Sequence, residues 1–448
     1  MQERQRDQCA ARVPVDGRRR RAVLLGSSRR RTILALSPLL VVYMLATVFF
    51  PRRADDERNY VELARNLLEG HYSGLGWQPA TPYATADPAN PDLWFGPGLP
   101  TALLPLVALD LPIELLRLSG ALFLFIAVIL FYELLRLRVG QGIALLGAYT
   151  LGAYFPFLLL ISTLHSEPLT ILLIVAMLYL VSRYLAGGGL AYGMAASAAA
   201  AGVALTRVAY GWVLTGMLVI FALWWLLSRR AGVRRVAGVY ALAFILCLPW
   251  LAFTYSVTDR LFVWGNSGPL SLYWMSSPHR EDLGNWRGGA YQIVVSDPLL
   301  VHHREFFLEL APLDPTEQNR RLEQRAFENI RGSPLKFVRN VAANVSRMVF
   351  GFPFSAKQET LNTLYYLIPN SLILWAVMGC GALVARRREP FSVEAIAFAT
   401  FATLGFGLHA VLAAYPRMLM PLVPIALWFV FQTLGTRVVP YLAGTRGT

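Results

Sequence analysis

The chain has 448 residues, of which 56% are hydrophobic, with a mean hydropathy of +0.47 and a formal net charge of +14. This is too apolar for a soluble globular domain. The charge does not point to nucleic acid, because the arginines crowd the ends of apolar runs, as membrane topology places them.

Residues 1–31 carry ten arginines and read as a disordered cytoplasmic tail near anionic lipid, or simply as a topogenic signal. No cleavable leader is expected, since the first apolar run is long enough to remain as an anchor. Ten apolar runs then follow, at 32–50, 113–135, 142–163, 169–185, 190–208, 209–228, 236–254, 364–385, 391–413 and 418–434. Each approaches the roughly 17–25 residues that a helix needs to cross the hydrocarbon. The expected fold is an all-α polytopic membrane protein: a bundle of about ten transmembrane helices with juxtamembrane helices and one large extracytoplasmic loop. Its parts are the tail 1–31, an N-terminal membrane module 32–254 with a first outer loop at 51–112, a cap at 255–363, and C-terminal helices with a tail at 364–448. Cys247 and Cys380 fall in apolar runs and Cys9 in the tail, so no disulfide framework is implied.

Charge sets the orientation. Arginines at 136–141, 183–189, 229–235 and 386–388 mark inner connections. With the tail inside, an odd number of spans must separate Phe50 from Arg136. The run 113–135 supplies one, so 98–111 should not cross. It is short, opens with Gly96-Pro97-Gly98-Leu99-Pro100 and contains Pro105, and reads as an interfacial or re-entrant segment. Residues 164–168, Arg207, 255–363 and 414–417 then lie outside. The long loop balances 12 basic against 11 acidic residues between Val257 and Asn362, which suits a folded cap with helices at 314–330 and 335–350.

The first outer loop opens with Asp55-Asp56-Glu57-Arg58-Asn59-Tyr60. Read as a helix over 55–69 stopped by Gly70, it turns Asp56, Tyr60, Leu63, Ala64 and Leu67 towards the protein. Asp55, Asn59, Glu62, Asn66 and Glu69 face solvent. Asp55 or Asp56 equally suits a simple helix cap. Glu167, in His165-Ser166-Glu167-Pro168, is either an acid satisfying a helix dipole or a second carboxylate facing the chamber of Asp56. Arg207 and Arg417 end or begin apolar runs on the outer side, where a cation calls for an anionic partner, internal or bound. Arg58 and Arg260 are further outer cations, solvated or ligand-bound, and His71 closes the first helix. Trp250 suits an interfacial belt. Residues 267–286, with Tyr273, Trp274 and Trp286, offer either sugar stacking or cap packing. His302-His303 lacks the spacing of a metal site.

These residues, taken in order, resemble the GT-C superfamily of polytopic glycosyltransferases. The likeness is to the branch of protein O-mannosyltransferases, the lipid A aminoarabinose transferase and related family 39/83-type bacterial enzymes. Asp56-Glu57-Arg58-Asn59-Tyr60 is similar to that group's D-E-x-x-Y loop. Gly96-Pro97-Gly98-Leu99-Pro100 is similar to its P-P-G-Y-P segment, departing at Gly96 and Leu99. Ser166-Glu167-Pro168, Leu205-Thr206-Arg207, Pro249-Trp250 and Pro416-Arg417-Met418 resemble later landmarks.

The resemblance implies an inverting transfer of a hexose or pentose from a polyprenyl-phosphate donor to a glycan, lipid or protein acceptor. The site would lie at the outer face of a bacterial inner membrane, in contact with the bilayer and not with nucleic acid. It implies Asp56 as base and Glu167 as second acid. Arg207 and Arg417 would hold phosphate, and Glu57, Arg58, Tyr60, His71 and Arg260 are further substrate-binding candidates. No cofactor is required by this chemistry, because a phosphate leaving group needs charge stabilisation rather than protonation, and a divalent metal is left open. The competing readings are a flippase or transporter of a lipid-linked glycan, which would place polar residues at mid-membrane in repeated halves, and a ligase of whole glycans.

Overall fold

The structure, a computed structural model, describes residues 16–50, 56–72, 93–287, 296–354, 361–388 and 390–438. Among these there are helices and no strands. Among the described residues seven segments are long and apolar enough to cross a membrane, or eight when one bent pair is counted as a span, against the ten expected; the runs 142–163 and 190–208 form shorter helices.

The first departure from the sequence reading is at the start. Helix α1 runs Asp16–Phe49, so half of the segment read as a disordered tail is helix continuous with the first span. Residues 1–15, Cys9 among them, and Asp55 lie outside the described residues.

Helix α2 (Glu57–Leu68) and helix α3 (Gly98–Ala108), which follow α1 in the chain, pack together, and α1 packs directly on α4 (Ile113–Arg136). Gly70 stops α2 as expected. It takes φ +86°, its N–H bonds to Leu67 O, and the His71 N–H reaches back to Asn66 O at 3.1 Å. This pair of bonds satisfies orphan carbonyls and requires the left-handed residue that glycine supplies. The helix buries Tyr60, Leu63 and Ala64 as predicted, but also Val61 and Asn66. Asn66 belonged to the predicted solvent stripe, so the buried arc of α2 is wider than its periodicity indicates.

The run 142–163 is not one continuous helix. Helix α5 (Gln141–Gly152) ends halfway, and a 3-10 turn at Phe155–Phe157 leads into turns that reach Thr163. Non-helical backbone at such depth survives only inside protein. Here Tyr154, Phe157, Leu160 and Ile161 are buried, and the Gly152 carbonyl accepts from Tyr43 Oη at 2.8 Å.

Helices α6 (Ser166–Leu185), α7 (Leu190–Thr206), α8 (Ala209–Ser228) and α9 (Ala231–Leu246) form the central stack. Helix α7 presents Gly193, Ala196, Ser197, Ala200 and Ala204 inward. Small residues let neighbouring backbones approach closely where no hydrophobic force acts between helices in lipid. Pro168 stands at the third position of α6, within the turn whose N–H groups have no helical acceptor. Helix α10 (Leu248–Thr258) bends 44° from α9 at Cys247, where Pro249 cannot continue the ladder. Trp250 is not a belt residue: it is buried, and its Nε1 donates to Trp264 O at 3.0 Å.

The cap contains α11 (Ser267–Met275), α12 (Val301–Leu310), α13 (Pro315–Gly332) and α14 (Pro334–Phe350). The last two match the expected helices, and Asp314 caps α13 through the N–H groups of Thr316 and Glu317. Tyr273 and Trp274 pack with Phe307 and Leu322 in a separate cap core, so they take the packing role. His303 is held between Asp282 (2.9 Å) and Tyr273 Oη (2.7 Å). Helices α15 (Leu361–Arg387), α16 (Val393–Val411) and α17 (Val423–Thr433) close the bundle.

Two polar clusters mark opposite ends of α6. At one end Arg138 pairs with Glu394 at 2.7 Å, and Glu394 also accepts from Ser182. These are connections that the charge pattern assigns to the inner side. The other end holds the candidate site.

Candidate functional site

Asp56 precedes α2 without capping it by its side chain. Its carboxylate instead accepts from Arg417 Nη2 at 3.3 Å. Arg417 lies in the short turn Pro416–Met418, which follows α16 by a few residues. The same guanidinium stands 3.5 Å from Glu167 Oε1 through Nε and 3.4 Å from His165 Nδ1 through Nη1. Its Nε–H makes no hydrogen bond although it is buried. Glu167, only 2% exposed, pairs with Arg207 Nη1 at 2.6 Å. Arg207 also contacts the Met418 sulfur. Two carboxylates and two guanidiniums thus gather from the starts of α2 and α6, the end of α7 and the turn after α16.

Local sequence sets each position. Arg207 breaks α7 with an extended conformation (φ −130°, ψ 99°). The Gly96-Pro97-Gly98 segment lies directly on that break. A Cβ at Gly96 would fall 2.0 Å from Leu205 O, and one at Gly98 would fall 2.3 Å from Thr206 Oγ1. Only glycine permits this approach, which gives the departure at Gly96 a physical reason.

Neighbouring groups hold the frame. Glu57 receives two bonds from Arg117, at 2.6 and 2.8 Å, and one from the Leu164 N–H at 2.9 Å. Burial pushes its carboxyl pKa up, but the Arg117 and Leu164 bonds outweigh this and hold it below the usual carboxylate range. Glu57 therefore ties α2 to α4 and to the segment leading into α6. Tyr60 is buried edge-on against Phe95 at 4.8 Å. Burial first, then the charge of Asp56, keeps its phenol protonated far above the ordinary range.

The structure brings together Asp56, Glu167, Arg207 and Arg417, with Tyr60 beside them. Glu57 is engaged by Arg117. Arg58 is exposed on α2, and His71 follows the helix as its half-buried C-terminal neighbour. Arg260 is exposed and pairs with Glu323 at 3.4 Å. Sequence reading did not single out His165 or Arg117. His165 stood in the quoted string beside Glu167, and Arg117 was a lone cation near the predicted outer end of a span. Both positions carried a signal of the kind used for Arg207.

Acids paired to arginines at one end of an apolar bundle can bind an anion and accept a proton. The Arg417 Nε–H faces Glu167 at 3.5 Å without a formed hydrogen bond, so the donors of this guanidinium are only loosely engaged by the acids around it.

No protein-family model matches the chain, and no curated protein does. Among solved structures it is similar to ArnT from Cupriavidus metallidurans bound to undecaprenyl phosphate. The identity is 15% over 90% of this chain and 77% of that one, with a TM-score of 0.41. For the apo state of the same protein the figures are 16%, 91%, 78% and 0.40. It is also similar to the Archaeoglobus fulgidus oligosaccharyltransferase tethered with an acceptor peptide containing the NVT sequon, at 15% identity and a TM-score of 0.49. That match covers 92% of this chain and 50% of the oligosaccharyltransferase, so the chain spans half its length.

Proposed function

We propose that this protein is a membrane glycosyltransferase that moves a sugar from a polyprenyl-phosphate donor to an acceptor hydroxyl, inverting the anomeric carbon. The observation that carries this reading is the shared guanidinium of Arg417, set between Asp56 and Glu167. The site is proposed to face the outer side of a bacterial inner membrane, because the inner charge markers lie at the opposite ends of the same helices.

In the proposed reaction the donor phosphate enters between Arg207 and Arg417. It competes with Asp56 for Arg417, and the released carboxylate becomes available to the acceptor. Asp56 takes the hydroxyl proton, the acceptor oxygen forms the new bond to the anomeric carbon, and the bond from that carbon to the phosphate oxygen breaks. The departing polyprenyl phosphate keeps the electron pair and remains held by the guanidiniums. Glu167 stays ionised and fixes both arginines. Because the arginines supply the positive charge, transfer is proposed to proceed without a divalent metal.

Gathering of the charges at one end of the bundle supports transfer over passage through mid-membrane. The test is mass spectrometry of cell-envelope glycans from the producing cell, its deletion strain, and a strain carrying Asp56→Asn. Loss of one sugar substituent in both altered strains is expected. An unchanged glycan profile in the deletion strain overturns the reading.

A further inference from the structure

Arg417 sits on a segment with little regular structure of its own. Helix α16 ends at Val411, and its last carbonyls have no helical donor. The donors come from the cap. Asn344 of α14 places Nδ2 at 2.9, 3.0 and 2.8 Å from the carbonyls of His409, Ala410 and Leu412. Its Oδ1 accepts the Ala414 N–H at 3.2 Å and Arg347 Nη2 at 2.9 Å.

Arg347 extends the same lock. It donates to Ala414 O at 3.4 Å, to Pro353 O at 2.9 Å and to Leu283 O at 3.3 Å. Both side chains are fully buried. Burial pulls the guanidinium down to about 10, so it remains charged at neutral pH among carbonyls. The Ala413 N–H is also taken by the cap, bonding to Ser271 O at 3.1 Å. The backbone from 409 to 414 therefore takes its register from the cap, and Arg417 follows three residues later.

We infer that Asn344 and Arg347 are positioning residues which aim Arg417 at Asp56, Glu167 and the donor's phosphate. The inference rests on the function proposed above for its phosphate, while the placement of residues 412–418 stands independently. It makes the cap part of the site without any cap residue touching the reacting groups.

Asn340 provides an internal control. It lies one turn earlier on α14, is equally buried, and bonds only within the cap, to Met275 O (2.9 Å) and Ser277 O (3.0 Å) among its backbone partners. Asn344→Ala and Asn340→Ala are compared as full-length detergent-solubilised proteins. Hydrogen exchange is followed at the amides of 412–418, and binding of undecaprenyl phosphate by native mass spectrometry.

Asn344→Ala is expected to accelerate exchange there at least tenfold and to weaken phosphate-lipid binding about as much as Arg417→Ala. Asn340→Ala, at a similar loss of melting temperature, should change neither. Wild-type exchange at 412–418 in Asn344→Ala, or equal effects in both variants, overturns the positioning role. If Arg417→Ala binds undecaprenyl phosphate as wild type does, the phosphate reading fails, while the exchange comparison still decides the positioning. Arg347→Lys keeps the buried charge but not the planar fork, and gives the same readout where Asn344→Ala does not accumulate.

Discussion

Arg417 reaches Asp56 at 3.3 Å across 361 positions of the chain, and the same guanidinium faces Glu167 at 3.5 Å. One cation thus faces both acids, and its buried Nε–H pairs with Glu167 without forming a hydrogen bond. Asp56→Asn keeps the side-chain volume but removes the base. Transfer should fall about 10²–10⁴-fold, the usual range for a positioned acid or base. The melting temperature should stay near wild type, because Asp56 does not cap α2. Assay of envelope glycans alongside thermal unfolding checks both.

Arg207 and Glu167 should behave as one unit. Arg207→Ala removes the 2.6 Å partner of a carboxylate that is 2% exposed and leaves it Arg417 at 3.5 Å, so the loss should fall short of the ~3–5 kcal/mol that breaking an isolated buried pair costs. The double variant Arg207→Ala/Glu167→Gln should recover most of the stability and none of the activity. Thermal unfolding of the four proteins in the double-mutant cycle gives the coupling.

The Glu57–Arg117 pair predicts an acid-sensitive link. The folded Glu57 pKa lies below its ordinary value, so the pair's stabilisation is complete above the unfolded carboxylate pKa of about 4.3. It is lost as pH falls through the lower folded value. Glu57→Gln should melt lower than wild type at neutral pH, and the gap should close on acidification below about pH 4. Asp282 is depressed too, opposed by burial and favoured by His303, so the difference between the two proteins is the quantity to read.

Gly98→Ala places a methyl 2.3 Å from Thr206 Oγ1 and 2.7 Å from its Cα. Overpacking of this kind destabilises by about 1–3 kcal/mol. Because Arg207 is the next residue, activity should drop more than the stability loss explains. Gly268→Ala, where a Cβ meets nothing within 4 Å, is the matched control. Comparing transfer at equal folded fraction separates the two effects.

Much of this was legible in the chain. Run length identified most of the spans, though 142–163 and 190–208 do not form helices long enough to count among the seven or eight. Periodicity turned Asp56, Tyr60, Leu63 and Ala64 towards the protein. These succeed because a lipid or water boundary acts on each segment locally. Asn66 and Trp250 were misjudged because burial is set by neighbours outside their own helices: α2 packs on α3, and Trp250 bonds to Trp264 beyond the end of its helix.

Sequence by itself determined the class of the protein, the order of its helices and the set of charges near one face, since hydropathy and charge act residue by residue. The tertiary structure decided which charges meet. Glu57 and Asp56 are adjacent, yet one is bonded to Arg117 and the other reaches Arg417, because α4 and the turn after α16 arrive on different sides. Likewise only packing showed that Asn344 and Arg347 of the cap bond the backbone leading to Arg417. A hydrogen bond depends on where its partner lies in space, and spacing along the chain does not specify that.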